Sequence, residues 1–321
     1  MDTLRLFSGR ANPELAIEIA QILGVELGEI SIKSLSDSET HVQIEESVRG
    51  AEIYLVQPTC RPVNETLMEL LIIVDAMRRA SADQITAVVP YYGYGRQDHK
   101  STGREPLSAR LVADLLANAG ADRIVSVDLH APQIQGFFNK VSDHLTAVTT
   151  LANHLRQRDL SNAVIVAPDV GRAKLAEKYT DLLGLGMVLM HKRRHGVGGS
   201  TMEVEAVVGD VEGMRPIIID DLIASGSIHQ QADTLMEHGA EPAIISVTHP
   251  VLIGQAPELL TRPSIAEVLV TNTIPVPQDR RAGGLIKVIS IAPLLASAIL
   301  RIHERRSVSE VFTQQNLLFP V

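Results

Sequence analysis

Residues 216–248 read PIIIDDLIASGSIHQQADTLMEHGAEPAIISVT, and this pattern indicates the architecture of the chain. An apolar run from Pro216 predicts a strand, the segment His229–His238 has the period of a helix, and the run from Ala243 predicts a second strand. Strands that are apolar throughout and alternate with helices are typical of parallel sheets covered by helices on both faces. The pattern therefore predicts an α/β fold.

The same alternation continues in both directions from this segment. Other apolar runs begin at Glu52, Ile85, Arg123, Ala163, Glu267 and Ile286, and other helix-period segments are 65–80, 108–119 and 172–182. The pattern occurs twice, and no linker rich in Pro, Gly or Ser separates the two occurrences. We expect two similar domains, each a largely parallel sheet flanked by helices, over residues 1–146 and 147–300. Residues 301–321 are expected to form a C-terminal helix and tail that pack back on the first domain.

The composition suits such layers and argues against several classes of partner. Of 321 residues, 45% are hydrophobic and only 3% are aromatic, which favours layers built from Val, Ile, Leu and Ala. The net charge is −9 and no basic tract occurs, so nucleic acid is not an expected partner. The N-terminus has no signal-peptide pattern, no apolar run is long enough to span a membrane, and the one cysteine cannot form an internal disulfide. We expect a cytoplasmic protein without a membrane partner.

Carboxylates and a histidine directly follow two of the apolar runs. Asp128 and His130 follow the run from Arg123, and Asp169 follows the run from Ala163. Ligand sites in parallel sheets lie beyond the carboxyl ends of the strands, and these side chains suit a divalent cation. Each alone is more often a helix cap or a turn former. Together they predict a Mg²⁺ site.

The segment 219–228, IDDLIASGSI, combines two adjacent acids with small residues before a predicted helix. The carboxylates of Asp220 and Asp221 could hold sugar hydroxyls or a hydrated metal ion. The amides of residues 225–228 could bind a phosphate, with help from the helix dipole. The alternative is an ordinary strand-to-helix turn with a serine cap.

A cationic cluster at residues 191–195, HKRRH, precedes a glycine-rich segment. Phosphoryl transfer needs positive charge on the equatorial oxygens, and a mobile loop can bring cations in while excluding water. The alternative is a solvated basic turn. Neither a Walker A sequence nor a kinase glycine-rich loop occurs in the chain, so any phosphate site here has another form.

In this order and spacing, the motifs resemble those of the ribose-phosphate pyrophosphokinase (PRPP synthetase) family. The most specific stretch is DLHAPQIQGFF at residues 128–138, and further matches lie at 36–39, 94–98 and 247–250. The resemblance extends over nearly the whole chain and implies a phosphoribosyltransferase-like fold in both domains. It also implies that the β,γ-diphosphate of ATP is transferred to the C1 hydroxyl of ribose 5-phosphate, giving PRPP and AMP.

Roles on the nucleotide side follow from this resemblance. His130 and Asp169 would bind the Mg²⁺ of Mg-ATP, and Lys192 and Arg194 would stabilise the transition state. ATP would be contacted by Arg96 and Gln97, and by Asp37 and Glu39 from a neighbouring subunit. A homo-oligomer, a hexamer as in the family, is therefore expected.

Roles on the ribose side follow in the same way. Asp220 and Asp221 would hold ribose hydroxyls and a second metal ion, and the 5-phosphate would be bound by Ser225, Gly226, Ser227 and Ile228. Ser47, Arg49, Ser81 and Arg104 resemble a phosphate/ADP regulatory site, or they form ordinary polar surface. Whether inorganic phosphate activates the enzyme is left open.

Two departures from the family motifs keep other functions in view. Family members usually carry DTGGT or STGGT where this chain has ASGSI at 224–228, so Ile228 replaces a threonine hydroxyl, and Leu35 stands where an aromatic ring often stacks on adenine. One alternative is a catalytically weak regulatory homologue that assembles with an active synthetase. The other is a phosphoribosyltransferase, which shares the two-acid phosphate loop.

Overall fold

The computed structural model describes residues 4–195 and 201–310, without the side chains of residues 192–205 and 310. The chain divides into two compact units. The first comprises residues 1–146, 273–275 and 290–321, and the second comprises residues 147–272 and 276–289.

The first unit contains a five-stranded sheet in the order β1-β4-β5-β6-β7, in which every pairing is parallel. Its elements up to residue 146 are β1 (Leu4–Ser8), α1 (Pro13–Leu23), β2 (Ile30–Ser34), β3 (Thr40–Ile44), β4 (Glu52–Val56), α2 (Val63–Arg79), β5 (Gln84–Val89), α3 (Ser108–Ala119), β6 (Arg123–Val127) and β7 (Val141–Leu145). Strands β2 and β3 form a separate antiparallel hairpin. Strands β4 and β5 are almost wholly buried, which explains their continuous apolar sequences.

The second unit contains a seven-stranded sheet in the order β10-β9-β8-β11-β12-β13-β14. Its elements are α4 (Val148–Leu155), β8 (Ala163–Ala167), α5 (Ala173–Leu183), β9 (Met187–His195), β10 (Thr201–Val208), β11 (Arg215–Ile223), α6 (His229–Glu237), β12 (Ala243–Pro250), α7 (Ala256–Leu259), β13 (Ile265–Thr271) and β14 (Ile286–Ile289). All pairings are parallel except that of β9 with β10. The predicted α/β class with largely parallel sheets is confirmed.

A last helix, α8 (Ala292–His303), belongs to the first unit. It packs on α1, the hydroxyl of Ser290 just before it bonds to Glu18, and His303 Nδ1 at its end lies 2.7 Å from Glu52 Oε2. The sequence-based boundaries placed residues 147–300 in the second domain, and the structure assigns 273–275 and 290–300 to the first unit instead. The helical period shows that a segment has an apolar face, but it does not show which sheet that face covers.

Local signals explain how several elements begin and end. The side chain of Asn12 accepts a hydrogen bond from the amide of Leu15, and Pro13 occupies the first turn, so α1 starts there. Gly24, with φ +69°, ends α1 in the left-handed conformation. Within residues 4–195 and 201–310, no helix has both the length and the apolar character needed to cross a membrane.

Candidate active site

The segment after β6 presents His130 at the carboxyl edge of the first sheet. Asp128 has a positive φ of +38°, which is uncommon for a residue other than glycine. The amide of Asp128 donates to the carbonyl of Leu145 at 2.9 Å, and the amide of Leu129 donates to Nε2 of His144 at 2.9 Å. Further on, Ile134 is fully buried and Phe138 packs edge-on against Tyr92. The loop that carries His130 is therefore tied to its own unit on both sides.

The segment after β5 carries Arg96 and Gln97 beside a groove. The groove has a volume of about 700 Å³, and its lining residues are Pro62, Val63, Asn64, Glu65, Tyr91, Tyr94, Arg96 and Gln97. Gly93 must be glycine, because a Cβ there would lie 2.3 Å from the carbonyl oxygen of Thr59. The side chains of Arg96 and Gln97 are exposed, so both are available to a ligand in the groove.

Asp98 connects these two segments, and sequence reasoning gave it no role. It is 7% exposed; its Oδ2 accepts a hydrogen bond from Gln133 Nε2 at 2.8 Å, and its Oδ1 lies 2.8 Å from His99 Nδ1. A carboxylate this buried needs such partners. The bond to Gln133 fixes the segment of Arg96 relative to the loop of His130. The one indication of Asp98 in the sequence is that it ends the stretch 94–98, which matches the family motif.

Asp37 and Glu39 lie at the tip of the β2–β3 hairpin. The amide of Glu39 donates to Asp37 Oδ1 at 3.2 Å, and the amide of Leu35 donates to the carbonyl of Glu39 at 2.8 Å, which closes the turn. Both carboxylates and Leu35 are exposed. Within the part of the chain that the structure describes, no hydrogen bond or ion pair joins this tip to the groove residues.

The four residues of the suspected regulatory site do not lie at one edge of the sheet. Ser47 and Arg49 precede β4, Ser81 precedes β5, and the amide of Gly50 donates to the carbonyl of Ser81, so these three share the amino edge. Arg104 lies in the connection that leaves the carboxyl end of β5. Within one chain, Arg104 therefore lies on the carboxyl side of the sheet, while the other three residues lie at its amino edge.

At the carboxyl edge of the second sheet, three carboxylates surround Arg172. Its Nε lies 2.7 Å from Asp220 Oδ1 and its Nη2 lies 2.7 Å from Asp221 Oδ1. Its backbone amide donates to Asp169 Oδ1 at 3.2 Å. The three aspartates are among the residues that the sequence predicts, but the arginine is not, and it lies next to Asp220 and Asp221 because β8 and β11 are neighbouring strands.

The electrostatics of this cluster follow from its burial. Burial and the neighbouring charge of Asp221 raise the pKa of Asp220 from 3.8 to about 7, although Arg172 opposes the shift. Burial works against the charge of Arg172, but Asp221, Asp220 and Asp169 outweigh it, and the pKa of the guanidinium is raised. The cluster is thus held by one arginine, while one of its acids is poised to change charge near neutral pH.

The loop after β11 has the form of an anion-binding site. Gly226 has φ +81°, and a Cβ there would lie 3.1 Å from both Cα and O of Ala256, so glycine is required. Within residues 4–195 and 201–310, the amides of Ser225, Gly226 and Ser227 donate to no backbone carbonyl. Successive unpaired amides ahead of a helix are suited to a phosphate group. α6 begins directly after this loop.

Ile228 differs from the other three residues of this loop. Its side chain is 7% exposed and belongs to the hydrophobic core of the second unit. From the family motif, a threonine hydroxyl that binds the phosphate is expected at position 228, where this chain has isoleucine. In the structure the isoleucine side chain lies in the core, so only the backbone of residue 228 is at the loop.

Lys192 and Arg194 lie on β9, and their side chains are outside the described residues. Sequence reasoning expected a loop here; the structure has a strand up to His195, paired with β10, and residues 196–200 are outside the described part of the chain. The pairing of β9 with β8 ends at Leu189, opposite Ala167. Lys192 and Arg194 therefore follow the last position at which β9 pairs with its parallel neighbour.

The carboxylates at the carboxyl edge of the second sheet are donors that fit a metal ion arriving with its ligand. No group of three or more His, Cys, Asp or Glu side chains in the described residues is arranged to hold a metal ion by itself. Mg²⁺ is commonly bound through one or two carboxylates together with substrate phosphates, and the oxygens of Asp169, Asp220 and Asp221 are donors of that type.

Comparisons with known proteins agree with this arrangement. The N-terminal domain of ribose phosphate pyrophosphokinase matches residues 4–120, and the phosphoribosyl synthetase-associated domain matches residues 201–313. Ribose-phosphate pyrophosphokinases of Caldanaerobacter subterraneus and Bacillus subtilis are each 47% identical, with 97% of this chain and 98% and 97% of those proteins covered. The crystal structure of phosphoribosylpyrophosphate synthetase from Mycobacterium smegmatis superposes with a TM-score of 0.89 at 45% identity, covering 95% of this chain and all of that one. Because the likeness spans both units and both candidate sites, the chain belongs to the ribose-phosphate pyrophosphokinase family.

Proposed function

We propose that this protein is a ribose-phosphate diphosphokinase, which transfers the β,γ-diphosphate of ATP to the C1 hydroxyl of ribose 5-phosphate to give PRPP and AMP. The observation that carries the proposal is the loop after β11, where two carboxylates precede the unpaired amides of residues 225–227. This loop offers groups for sugar hydroxyls and for a phosphate in one place. Membership of the family supports the choice of ATP as donor.

The ribose 5-phosphate site is ordered before the sugar binds. Arg172 holds Asp220 and Asp221 at 2.7 Å each, so their side chains lose little freedom when hydroxyls donate to them. Gly226 lets the backbone turn so that the amides of Ser225–Ser227 face one ligand. Ile228 contributes through its backbone.

ATP is proposed to occupy the groove of the first unit. Arg96 and Gln97 line it and are exposed, and Asp98 fixes their segment to the loop of His130 through Gln133. The tip carboxylates Asp37 and Glu39 are proposed to reach the adenine of a neighbouring subunit. Their exposure, and the absence of a described bond to the groove of the same chain, support this assignment.

Charge neutralisation in the transition state is assigned to cations of β9 and to magnesium. The C1 hydroxyl oxygen forms a bond to the β-phosphorus and releases its proton to solvent, while the bond from the β-phosphorus to the oxygen bridging to the α-phosphate breaks and AMP leaves. Lys192 and Arg194 are proposed to stabilise the charge on the equatorial oxygens. Mg²⁺ carried by the phosphates would supply further neutralisation, with His130 and Asp169 as its proposed protein ligands.

The protein is further proposed to act in the cytoplasm as a homo-oligomer, a hexamer. Arg104 lies away from the amino edge that carries Ser47, Arg49 and Ser81, so a regulatory site containing all four needs a second copy of the chain. Exposed leucines at 111 and 115 on one face of α3, with Leu107 exposed just before the helix, give a further reason for self-association. Inorganic phosphate is proposed as the activating ligand of that regulatory site.

Phosphorus NMR of the protein with ATP, Mg²⁺ and ribose 5-phosphate tests the function directly. The proposal expects AMP and PRPP to appear together, with the β-phosphorus of ATP becoming bonded to the ribose oxygen. Absence of AMP at saturating substrates with Mg²⁺ and inorganic phosphate would favour the regulatory homologue. Transfer of a base onto PRPP without ATP would favour a phosphoribosyltransferase.

A further inference from the structure

The loop that carries His130 begins with a strained residue that something must hold. Asp128 has φ +38°. A non-glycine residue in the left-handed region is strained and persists only where its surroundings impose it. Two amides in succession are bonded here, that of Asp128 to the carbonyl of Leu145 and that of Leu129 to the ring of His144.

The bond to His144 replaces a backbone bond at the point where the ladder ends. In the β6–β7 register Ser126 is opposite His144 and Val127 is opposite Leu145, and the paired region stops there. Beyond the paired region, the amide of Leu129 donates at 2.9 Å to Nε2 of His144, a side chain of the neighbouring strand β7. Since this nitrogen accepts a hydrogen bond, it carries no proton.

The same ring also reaches the far side of the loop. Its Nδ1, which carries the ring proton when Nε2 accepts, lies 3.1 Å from the side-chain amide of Gln135 in the short helical turn Pro132–Phe137, and it can donate to the oxygen of that amide. His144 therefore contacts the segment both before and after His130. None of the sequence motifs included it, and only the pairing of β6 with β7 brings it here.

We propose that His144 is a positioning residue for the nucleotide site, which holds the Asp128–Leu129 turn so that His130 is presented to the metal-bound phosphates of ATP. The proposal rests on the diphosphokinase function proposed above. His144 touches the loop and not the substrate, so its loss should weaken the binding of Mg-ATP and leave the ribose 5-phosphate site of the second unit unchanged.

Two substitutions separate positioning from packing. His144→Phe keeps a planar ring but removes both nitrogens. His144→Gln puts a carbonyl oxygen the same number of bonds from Cα as Nε2, so the Leu129 amide regains an acceptor. His238→Phe, at an exposed histidine just after α6, controls for the loss of a histidine elsewhere.

The readouts are the KM of each substrate and the Kd of Mg-ATP measured without ribose 5-phosphate. We expect His144→Phe to raise KM and Kd for Mg-ATP about tenfold, because a buried amide is left without an acceptor, with the KM of ribose 5-phosphate within about twofold. His144→Gln should recover most of the loss, and His238→Phe should match the wild type. An unchanged Mg-ATP affinity in His144→Phe, equal rises in both KM values, or equal losses in the Phe and Gln variants would overturn the proposal.

Hydrogen exchange of the wild-type protein gives a second test that needs no variant to fold. The amide of Leu129 should be strongly protected, and rapid exchange there would refute the bond on which the proposal depends. An inactive wild type with a protected Leu129 amide would instead refute the proposed function while leaving the role of His144 in holding the loop intact.

Discussion

Arg172 shows how a single side chain can hold several acids together at one edge of a sheet. It contacts Asp220 and Asp221 at 2.7 Å, and its amide is bonded to Asp169. The strand-end positions of the three acids could be predicted, because polar residues after apolar runs gather at one edge of a parallel sheet. The role of the arginine could not, because Asp220 and Asp221, which its side chain contacts, lie 48 and 49 residues away in the chain and only the strand order brings them together.

The raised pKa of Asp220 predicts how stability depends on pH. The folded chain holds a proton on this acid up to about pH 7, whereas an unfolded chain releases it near 4, so the free energy of unfolding falls as the pH rises between these values. We expect Asp220→Asn to remove that fall and to stabilise the apo protein at pH 8 by about 1–3 kcal/mol, with a smaller gain at pH 5. Urea unfolding at both pH values measures this.

Asp181→Asn, at an exposed position of α5, controls for the loss of one negative charge. If the Asp220→Asn variant is destabilised by the same amount at both pH values, folding does not raise the pKa of Asp220, and the prediction is wrong.

Among the elements, the β9–β10 hairpin departs most from what the sequence indicated. The glycines and cations at 191–199 predict a loop, because both are common in loops. Only the first residues of β9 are apolar, so the apolar pattern does not reveal how far the strand continues. The structure extends β9 to His195, and pairing with β10 puts Glu203 opposite Arg193. By contrast α3, predicted at 108–119, and the buried strands from Ile85, Arg123 and Ala163 followed from period and composition alone.

A strand that continues past its parallel neighbour can carry cations to a substrate. We expect Lys192→Ala to lower kcat roughly 10²–10³-fold with little change in either KM, because the charge it meets develops in the transition state. Lys174→Ala, at an exposed lysine of α5, serves as the matched control and should be unchanged. Steady-state AMP release measures both, and a rise in KM at constant kcat would place Lys192 in ground-state binding instead.

The loop after β11 makes a prediction in which geometry and function separate. Gly226→Ala should destabilise the protein by about 1–2 kcal/mol through its positive φ, and should raise the KM of ribose 5-phosphate about tenfold because the loop must shift away from Ala256. Gly213→Ala has a similar φ of +67° with open space around the added methyl. It should cost similar stability and leave that KM unchanged; an equal effect of both on KM would mean the loop does not bind the sugar phosphate.

At the scale of the whole molecule, the proposed role of the exposed hairpin tip would make activity a property of an assembly. If Asp37 and Glu39 serve the nucleotide of a neighbouring subunit, a chain lacking them can still lend its own Lys192 and Arg194 to another site. We expect a mixture of the Asp37→Asn/Glu39→Gln variant with Lys192→Ala, dissociated and reassembled together, to regain activity that neither variant has alone. A mixture of Lys192→Ala with Arg194→Ala should not recover, and failure of the first mixture would place the tip in its own chain's site.

The membership of α8 in the first unit has a consequence for biosynthesis. α1 buries Leu15 and Ile19, and α8, which packs against it, buries Leu295 and Ile299, yet all of residues 147–289 are translated between the two helices. The unit whose sheet leaves the ribosome first is therefore the one completed last, and the apolar face that α8 will cover stays exposed while the rest of the polypeptide is made. A stop codon just after Ile289 would leave the second unit with all of its residues and would remove α8 from the first unit.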